Sequence, residues 1–232
     1  MIKVLQKITM KTYISQLRNE LNTHLFDIKI LQKENNLDVI NDVIKNIMGI
    51  GSLRELGAFF TPHALAENAV SQFSTAITAD SKLLDPNCGV GNLLIEATMC
   101  LGVKPSLSAT LKTWNEVLYG FDIESDFIVI TKLLLILAAL ARGVKLDCSI
   151  EQAESYLTNI KVKNALNITA EDISHITHLL MNPPFLRVTS PMRDYWKKGK
   201  VNSAGVFFDY YLRLIPVGCD VVSILPDVLR SG

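Results

Sequence analysis

Residues 83–92 read Leu-Leu-Asp-Pro-Asn-Cys-Gly-Val-Gly-Asn. A short apolar run ends in an acid, breaks at a proline and passes through two glycines into a segment with helical patterning, Gly91 to Leu101. This is the profile of a strand, a tight turn and a helix. In a doubly wound sheet such a turn lies at the carboxyl end of its strand, where ligands bind. Gly89 and Gly91 permit close approach to the backbone, and Asp85 can pair with a cationic group. A dinucleotide fingerprint requires a further glycine three positions after Gly91. Leu94 stands there, which removes support for a pyrophosphate site. Read alone, the segment also fits a turn that needs its glycines only to fold.

Working outward, the alternation continues. Lys82 to Asp85, Val117 to Phe121, Ala165 to Thr169, Ile176 to Met181 and Val221 to Leu225 read as strands. Gly91 to Leu101, Glu124 to Arg142 and Val206 to Leu214 read as helices between them. Strands separated by helices predict an α/β fold, a doubly wound and mostly parallel sheet covered on both faces. Ahead of it, Ile14, Leu17, Leu21, Leu25 and Ile28 recur at helical spacing. This predicts a helical N-terminal appendage over residues 1–50, broken near Asn35-Asn36 and ended by Gly49, Gly51 and Ser52, with the α/β domain over residues 51–232. The apolar stripe is expected to pack on the rest of the chain. The stretch from Arg187 to Ser203 reads as a polar loop, in which Tyr195, Trp196 and the lysines beside them suit contact with nucleic-acid phosphates as well as plain exposure.

The 232 residues are 49% hydrophobic, enough for a substantial core. Lys and Arg number 23, as do Asp and Glu, so the net charge is zero. A protein that grips duplex DNA alone usually carries a basic surface, so here any such surface is local or supplied by other sequence. Cys88, Cys100, Cys148 and Cys219 form no CxxC pair, which indicates neither a zinc site nor a disulfide framework and suits the cytoplasm. His175 and His178 lack a third ligand at suitable spacing, so no metal is expected. No secretory signal opens the chain. The most apolar stretch, Phe127 to Ala141, would span roughly 22 Å as a helix against a hydrocarbon core of ~30 Å, so it reads as a buried helix and no membrane association is expected.

Three further segments carry chemistry. Asp122, in Tyr119-Gly120-Phe121-Asp122-Ile123-Glu124, ends the second strand, where a carboxylate either accepts ribose hydroxyls or caps the following helix. Residues 57–62 read Gly-Ala-Phe-Phe-Thr-Pro, a helix start in which Thr61 caps and Pro62 occupies the first turn. The free amides there favour a carboxylate. Residues 182–185 read Asn-Pro-Pro-Phe directly after Leu179-Leu180-Met181. Two prolines force the chain out of the sheet in a stiff turn. The turn offers two acceptors, the Asn182 amide and the Pro183 carbonyl, with the Phe185 ring at its end.

In this order, GAFFTP, DPNCGVG, GFDIE and NPPF resemble the amino-methylating DNA methyltransferases, most closely the gamma-type N6-adenine group of restriction–modification systems. The resemblance runs from Gly57 to the carboxyl end. It implies a methyltransferase fold of the Rossmann-like type and the cofactor S-adenosyl-L-methionine. The backbone around Phe59, Phe60 and Thr61 would meet the cofactor carboxylate, and Asp85, Cys88, Gly89 and Gly91 its methionine part. Asp122 and Ile123 would meet the ribose side, and Asp172 the adenine. Asn182, Pro183, Pro184 and Phe185 would hold an adenine flipped from DNA, the acceptors drawing the N6 lone pair out of the ring. Against the family's pattern, two further strands and a target-recognition domain are missing. The expectation is a piece of a longer methyltransferase that works on DNA through that remainder or through specificity and restriction subunits. Guanine N2 in RNA and a glutamine side chain are the alternative substrates, because similar turns serve both; a non-catalytic cofactor-binding scaffold is the alternative from another class.

Overall fold

Leu83 and Leu84 are adjacent in sequence and both fully buried, yet they join different apolar clusters. Alternate side chains of a strand face opposite sides of its sheet, so both faces of this sheet must be covered. The computed structural model describes residues 9–23, 36–56, 60–196 and 198–227. Its strands are β1 (Leu83–Asp85), β2 (Leu118–Asp122), β3 (Ile160–Val162), β4 (His178–Met181), β5 (Arg187–Thr189), β6 (Lys200–Asn202) and β7 (Asp220–Ser223). Five form a parallel sheet in the order β3-β2-β1-β4-β7, and β5 and β6 pair separately as an antiparallel ribbon. This is the doubly wound, parallel α/β sheet that the sequence predicts. The chain builds outward from β1 to β3, then returns to lay β4 on the other side of β1. That reversal opens a crevice at the carboxyl ends of β1 and β4.

Helices α1 (Met10–Asn22), α2 (Asn36–Met48), α3 (Ile50–Leu56), α4 (His63–Ser71), α5 (Asn92–Ala97), α6 (Leu107–Val117), α7 (Ser125–Ala141), α8 (Ile150–Tyr156) and α9 (Ser203–Leu212) complete the described structure. The larger cluster joins α1, α5, α6, α7 and α8 to one face of the sheet; the smaller places Tyr211 of α9 with Phe121, Leu179 and Met181 on the other. Helix α7 carries the apolar run and is buried on most sides, from Phe127 through Ala139. Among the described residues no helix is long and apolar enough to cross a membrane. Ile14, Leu17 and Leu21 of α1 are buried in the same cluster, each contributing about 1.5–3 kcal/mol if fully withdrawn from water. Arg18 adds a bidentate contact to Glu154 of α8, at 2.6 and 2.9 Å. Leu25, Ile28 and Asn35 lie outside the described residues. Gly49, at φ 79°, separates α2 from α3, and helix resumes through Gly51 and Ser52 rather than ending there.

Two sequence expectations are corrected. The segment Ala165 to Thr169 is not a strand: residues Ala165–Asn167 form a 3-10 turn, and the third strand is Ile160–Val162. The Asn164 side chain accepts from the Leu166 amide at 2.9 Å and Asp172 accepts from the Thr169 amide at 2.9 Å, so the backbone curls where apolar alternation suggested extension. The stretch Arg187 to Ser203 is not only loop, because it contains the β5–β6 ribbon. Helices α6 and α8, each capped by a serine (Ser106 and Ser149), are also present.

Candidate functional site

The carboxyl ends of β1, β2 and β4 deliver Asp85, Asp122 and Asn182 to one place. The glycine turn after β1 is fixed from two sides. The Cys88 amide donates to the Phe121 carbonyl at 2.9 Å, and Thr131 of α7 donates its hydroxyl to the Gly89 carbonyl at 2.9 Å. Gly91 sits at φ 89°, and a Cβ there would lie 2.6 Å from the Thr131 methyl, so both conformation and space demand glycine. In β2, a Cβ on Gly120 would lie 2.7 Å from Leu94, which lets α5 press against the strand.

A cleft of about 290 Å³ opens above these ends, walled by Phe60, Asp122, Ile123, Asn164, Asn182 and Phe207 among others. A narrow inner recess continues from it to Thr61, Asp85, Cys88 and Asn92. The Phe60 ring meets Phe127 edge-on at 5.7 Å and forms one wall. Ile123 is 60% exposed on the cleft side of Asp122, an apolar surface open to a ligand.

Acceptors dominate the polar lining. Burial pushes the Asp85 carboxyl up to about 8, against the pull of the Asn87 amide, with the Asp122 charge adding to the rise. Burial likewise raises Asp122, although its oxygens accept from the Glu124 amide at 2.9 Å and the Gly89 amide at 3.0 Å. The Cys88 thiol is pushed well up by burial and by the neighbouring carboxylates, so it stays protonated and packs as a small apolar group. The side-chain oxygens of Asn87, Asn92 and Asn182 are buried with no hydrogen-bond partner in the described structure. Buried polar atoms are nearly always paired, so three open acceptors at one cleft mark a place prepared for donors.

The sequence-predicted residues divide as follows. Phe60, Asp85, Cys88, Gly89, Asp122, Ile123, Asn182 and Pro184 line the cleft or its recess. Gly91 shapes the turn from behind, at the start of α5. Phe59 lies outside the described residues. Thr61 does not cap α4 with its hydroxyl. Pro62 stands at that cap, and Asp38 of α2 accepts from the His63 amide at 3.1 Å. Instead the Thr61 hydroxyl accepts from Asn182 Nδ2 at 3.0 Å, and the Thr61 carbonyl accepts from Asn92 Nδ2. Asp172 is not on the cleft wall. Its carboxylate accepts from the Thr169 amide and pairs with Lys163 at 3.2 Å, contacts that hold it below the ordinary carboxylate range. His63 reaches Glu96 at 3.3 Å. Among the described residues no group of three or more His, Cys, Asp or Glu is placed to hold a metal ion.

Four residues were not singled out from the sequence. Asn87 and Asn92 supply open acceptors, and Asn164 stands on the cleft wall where the third strand turns away. Ser203 clamps the proline turn: its hydroxyl accepts from the Leu186 amide at 2.8 Å and donates to the Pro184 carbonyl. Pro183 is buried within that turn and Phe185 is half-buried at its end. The Asn-rich spacing around the strand ends is the sequence signal for the three asparagines, and Ser203 has none.

Among solved structures, similar chains include the type IIG restriction endonuclease BpuSI, at 16% identity over 83% of this chain and 24% of that one, with a TM-score of 0.46. A modification subunit of a type I restriction enzyme from Vibrio vulnificus matches at 17% identity over 77% and 34%, with a TM-score of 0.49. The M protein of the type I restriction enzyme EcoKI matches at 13% identity over 95% and 45%, with a TM-score of 0.47. This chain therefore spans less than half the length of each of these proteins. None of the curated proteins matches the sequence. A family model described as N-6 DNA methylase matches residues 35–205, which take in both strand-end carboxylates and the Asn-Pro-Pro-Phe turn, and the chain belongs to that family.

Proposed function

We propose that this chain is the cofactor-binding and catalytic part of an enzyme that methylates the N6 amine of an adenine flipped out of DNA, with S-adenosylmethionine as donor, in a restriction–modification system. The observation that carries this reading is the buried, unpaired Asn182 Oδ1, on a residue whose amide nitrogen Thr61 holds and which lines both the cleft with Asp122 and its inner recess with Asp85.

The lining suits the cofactor's chemistry. Asp85 would pair with its ammonium group, and Asp122 would accept from its ribose hydroxyls. Ile123, Phe60 and Leu166 provide apolar surface for its adenine, with Asn164 at the polar edge. In this reading Asn164 takes the place first given to Asp172, since Asp172 is committed to Lys163. The amides near Thr61 would meet the carboxylate. Bound there, the cofactor would supply an electrophilic methyl group on a sulfonium.

The remaining work falls to the proline turn. An adenine N6 lone pair is delocalised into the ring, which makes the amine a poor nucleophile. Asn182 Oδ1 and the Pro183 carbonyl accept its two hydrogens and concentrate the lone pair on nitrogen. Placement in line with the methyl then matters more than a strong base. Two prolines and the Ser203 clamp keep these acceptors in place without reorganisation. A base inside a duplex cannot enter the cleft, so flipping is required, with Phe185 stacking on the extruded ring. Recognition of a DNA site belongs in this reading to sequence or subunits beyond this chain.

The test is transfer of radiolabelled methyl to DNA, RNA and protein by the full-length protein. Label on DNA adenine is expected, and Asn182→Ala should cut the rate by about 100-fold or more while cofactor affinity stays within a few-fold. Label on RNA with unlabelled DNA reverses the substrate. Unchanged transfer by the variant removes the proposed role of the turn.

A further inference from the structure

The β5–β6 ribbon follows the Asn-Pro-Pro-Phe turn directly and is joined to it. The Ser203 amide donates to the Leu186 carbonyl at 2.8 Å, and the Ser190 amide donates to the Gly199 carbonyl at 2.8 Å to close the loop. Its register pairs Arg187 with Asn202, Val188 with Val201 and Thr189 with Lys200. Residues directly opposite share a face, so Val188 and Val201 lie on one side and Arg187, Thr189 and Lys200 on the other. Val188 and Leu186 belong to the cleft wall. Arg187, Thr189 and Lys200 are exposed. The ribbon is thus apolar toward the cleft and cationic toward solvent.

Charge is concentrated here in a chain whose total is zero. Residues 187–200 hold Arg187, Arg193, Lys197, Lys198 and Lys200 against Asp194 alone. The nearest acid on the adjoining helix, Asp209, is already shared by Arg213 at 3.2 Å, Arg193 at 3.9 Å and the Tyr195 hydroxyl at 3.0 Å. Arg187, Lys198 and Lys200 form no ion pair among the described residues. Exposed cations that form no ion pair among the described residues, on a ribbon and its connecting loop beside the cleft, fit the closely spaced phosphates of a nucleic-acid backbone.

We propose that the β5–β6 ribbon is a DNA-backbone contact of this protein, with Arg187, Lys198 and Lys200 meeting phosphates that flank the target base. The assignment rests on the DNA reading above and adds where the duplex lies. It also reconciles the neutral chain with a polyanionic partner, because residues 187–200 carry a local excess of positive charge beside the cleft.

The experiment measures binding of the whole chain to a fluorescent 30-base-pair duplex across a KCl series, for the parent and for Arg187→Gln/Lys198→Gln/Lys200→Gln. Each lost phosphate contact should make the negative slope of log K against log salt shallower by about 0.9, so a decrease in its magnitude of about 2–3 is expected, with affinity down 10-fold or more near 0.1 M salt. The melting shift produced by S-adenosylhomocysteine should be the same in both proteins, which shows that the variant is folded. The exchange Arg187→Lys should leave the slope unchanged, because the contact is to charge alone. An unaltered slope in the triple variant, or no measurable duplex binding by the parent, overturns the assignment. Failure of the broader reading looks different: labelled methyl would then appear on RNA or protein, whereas label still reaching DNA with an unaltered slope removes the ribbon's role alone.

Discussion

Strand β4 begins at His178 and leads into Asn182, and the two ends of this short strand are built on opposite principles. At the first end the His178 and Asp220 side chains are matched by hydrogen-bond partners. His178 is buried, with Nδ1 against the Thr177 hydroxyl at 2.7 Å, Nε2 against the Thr75 hydroxyl at 3.1 Å, and its ring edge-on to Phe73. Asp220 beside it accepts from the Ser74 hydroxyl and from the Thr75 amide and hydroxyl at 2.7–2.9 Å. At the far end, Asp85 is buried and pushed up to about 8, and three asparagine oxygens have no partner. An unpaired buried polar group costs about 1–3 kcal/mol. Around β4, the hydrogen bonds of His178 and Asp220 are closed at the end that holds the sheet, whereas the asparagine oxygens stay open at the end where a ligand would complete them.

The sharpest break of this contrast is Asp85→Asn, which removes the acid and keeps its shape. Cofactor affinity should fall by about 100-fold or more, since the ammonium loses the buried counter-charge that the described residues place in the recess. Apo stability should move the other way. The folded carboxyl titrates at about 8 against about 4 unfolded, so below pH 4 both states hold the proton and no penalty exists. As pH rises from 4 toward 8 the unfolded chain releases its proton and the fold does not, so wild-type stability declines over that window and then levels off. The variant lacks this decline. Urea unfolding at pH 5 and pH 7.5 should show a gap in the variant's favour that widens by about 3 kcal/mol. A wild type that gains on the variant as pH rises would contradict a buried, unpaired Asp85.

How much of this was legible beforehand follows the range of each interaction. The strand, turn and helix around Asp85 were readable because a local string determines them: apolar residues, a proline, then glycines that only a positive φ or a close approach requires. Reading Ala165 to Thr169 as the third strand fails, although Leu166 to Thr169 alternates apolar and polar as a strand does, because side-chain bonds to Asn164 and Asp172 curl the backbone. The actual strand keeps only Ile160 buried and leaves Lys161 and Val162 exposed, so it has no apolar run to find. Thr61 shows the same limit at the site. Its neighbours dictate a helix cap, yet its hydroxyl serves Asn182, 121 residues away. A contact of that separation leaves no local pattern.

That contact yields a smaller test. Thr61→Val keeps the shape and deletes the hydroxyl, freeing the Asn182 amide to rotate. Methyl transfer should fall about 10-fold, seen in the rate at saturating cofactor and DNA, with cofactor affinity unchanged and melting nearly so. Thr61→Ser should restore the rate. A loss in the valine variant that appears only as weaker cofactor binding would place Thr61 with the cofactor rather than with the amide.

The smallest effect belongs to the closed end. Burial alone would raise the Asp220 carboxyl, but the bonds from Ser74 and Thr75 outweigh it and hold the group below its ordinary range. Its contribution is therefore complete above the unfolded carboxylate value near 4 and is lost as pH falls through the lower folded value. Asp220→Asn weakens three charge-assisted bonds at a partly exposed position, so a cost of about 1 kcal/mol is expected at pH 7, shrinking as the solution is acidified. Cofactor affinity and methyl transfer should stay within twofold, because Asp220 and its partners Ser74 and Thr75 lie at the end of the sheet away from the cleft and none of them lines it. A larger loss of transfer than of stability would mean that the two ends communicate through the strand, and the division between a closed structural rim and an open binding rim would no longer hold.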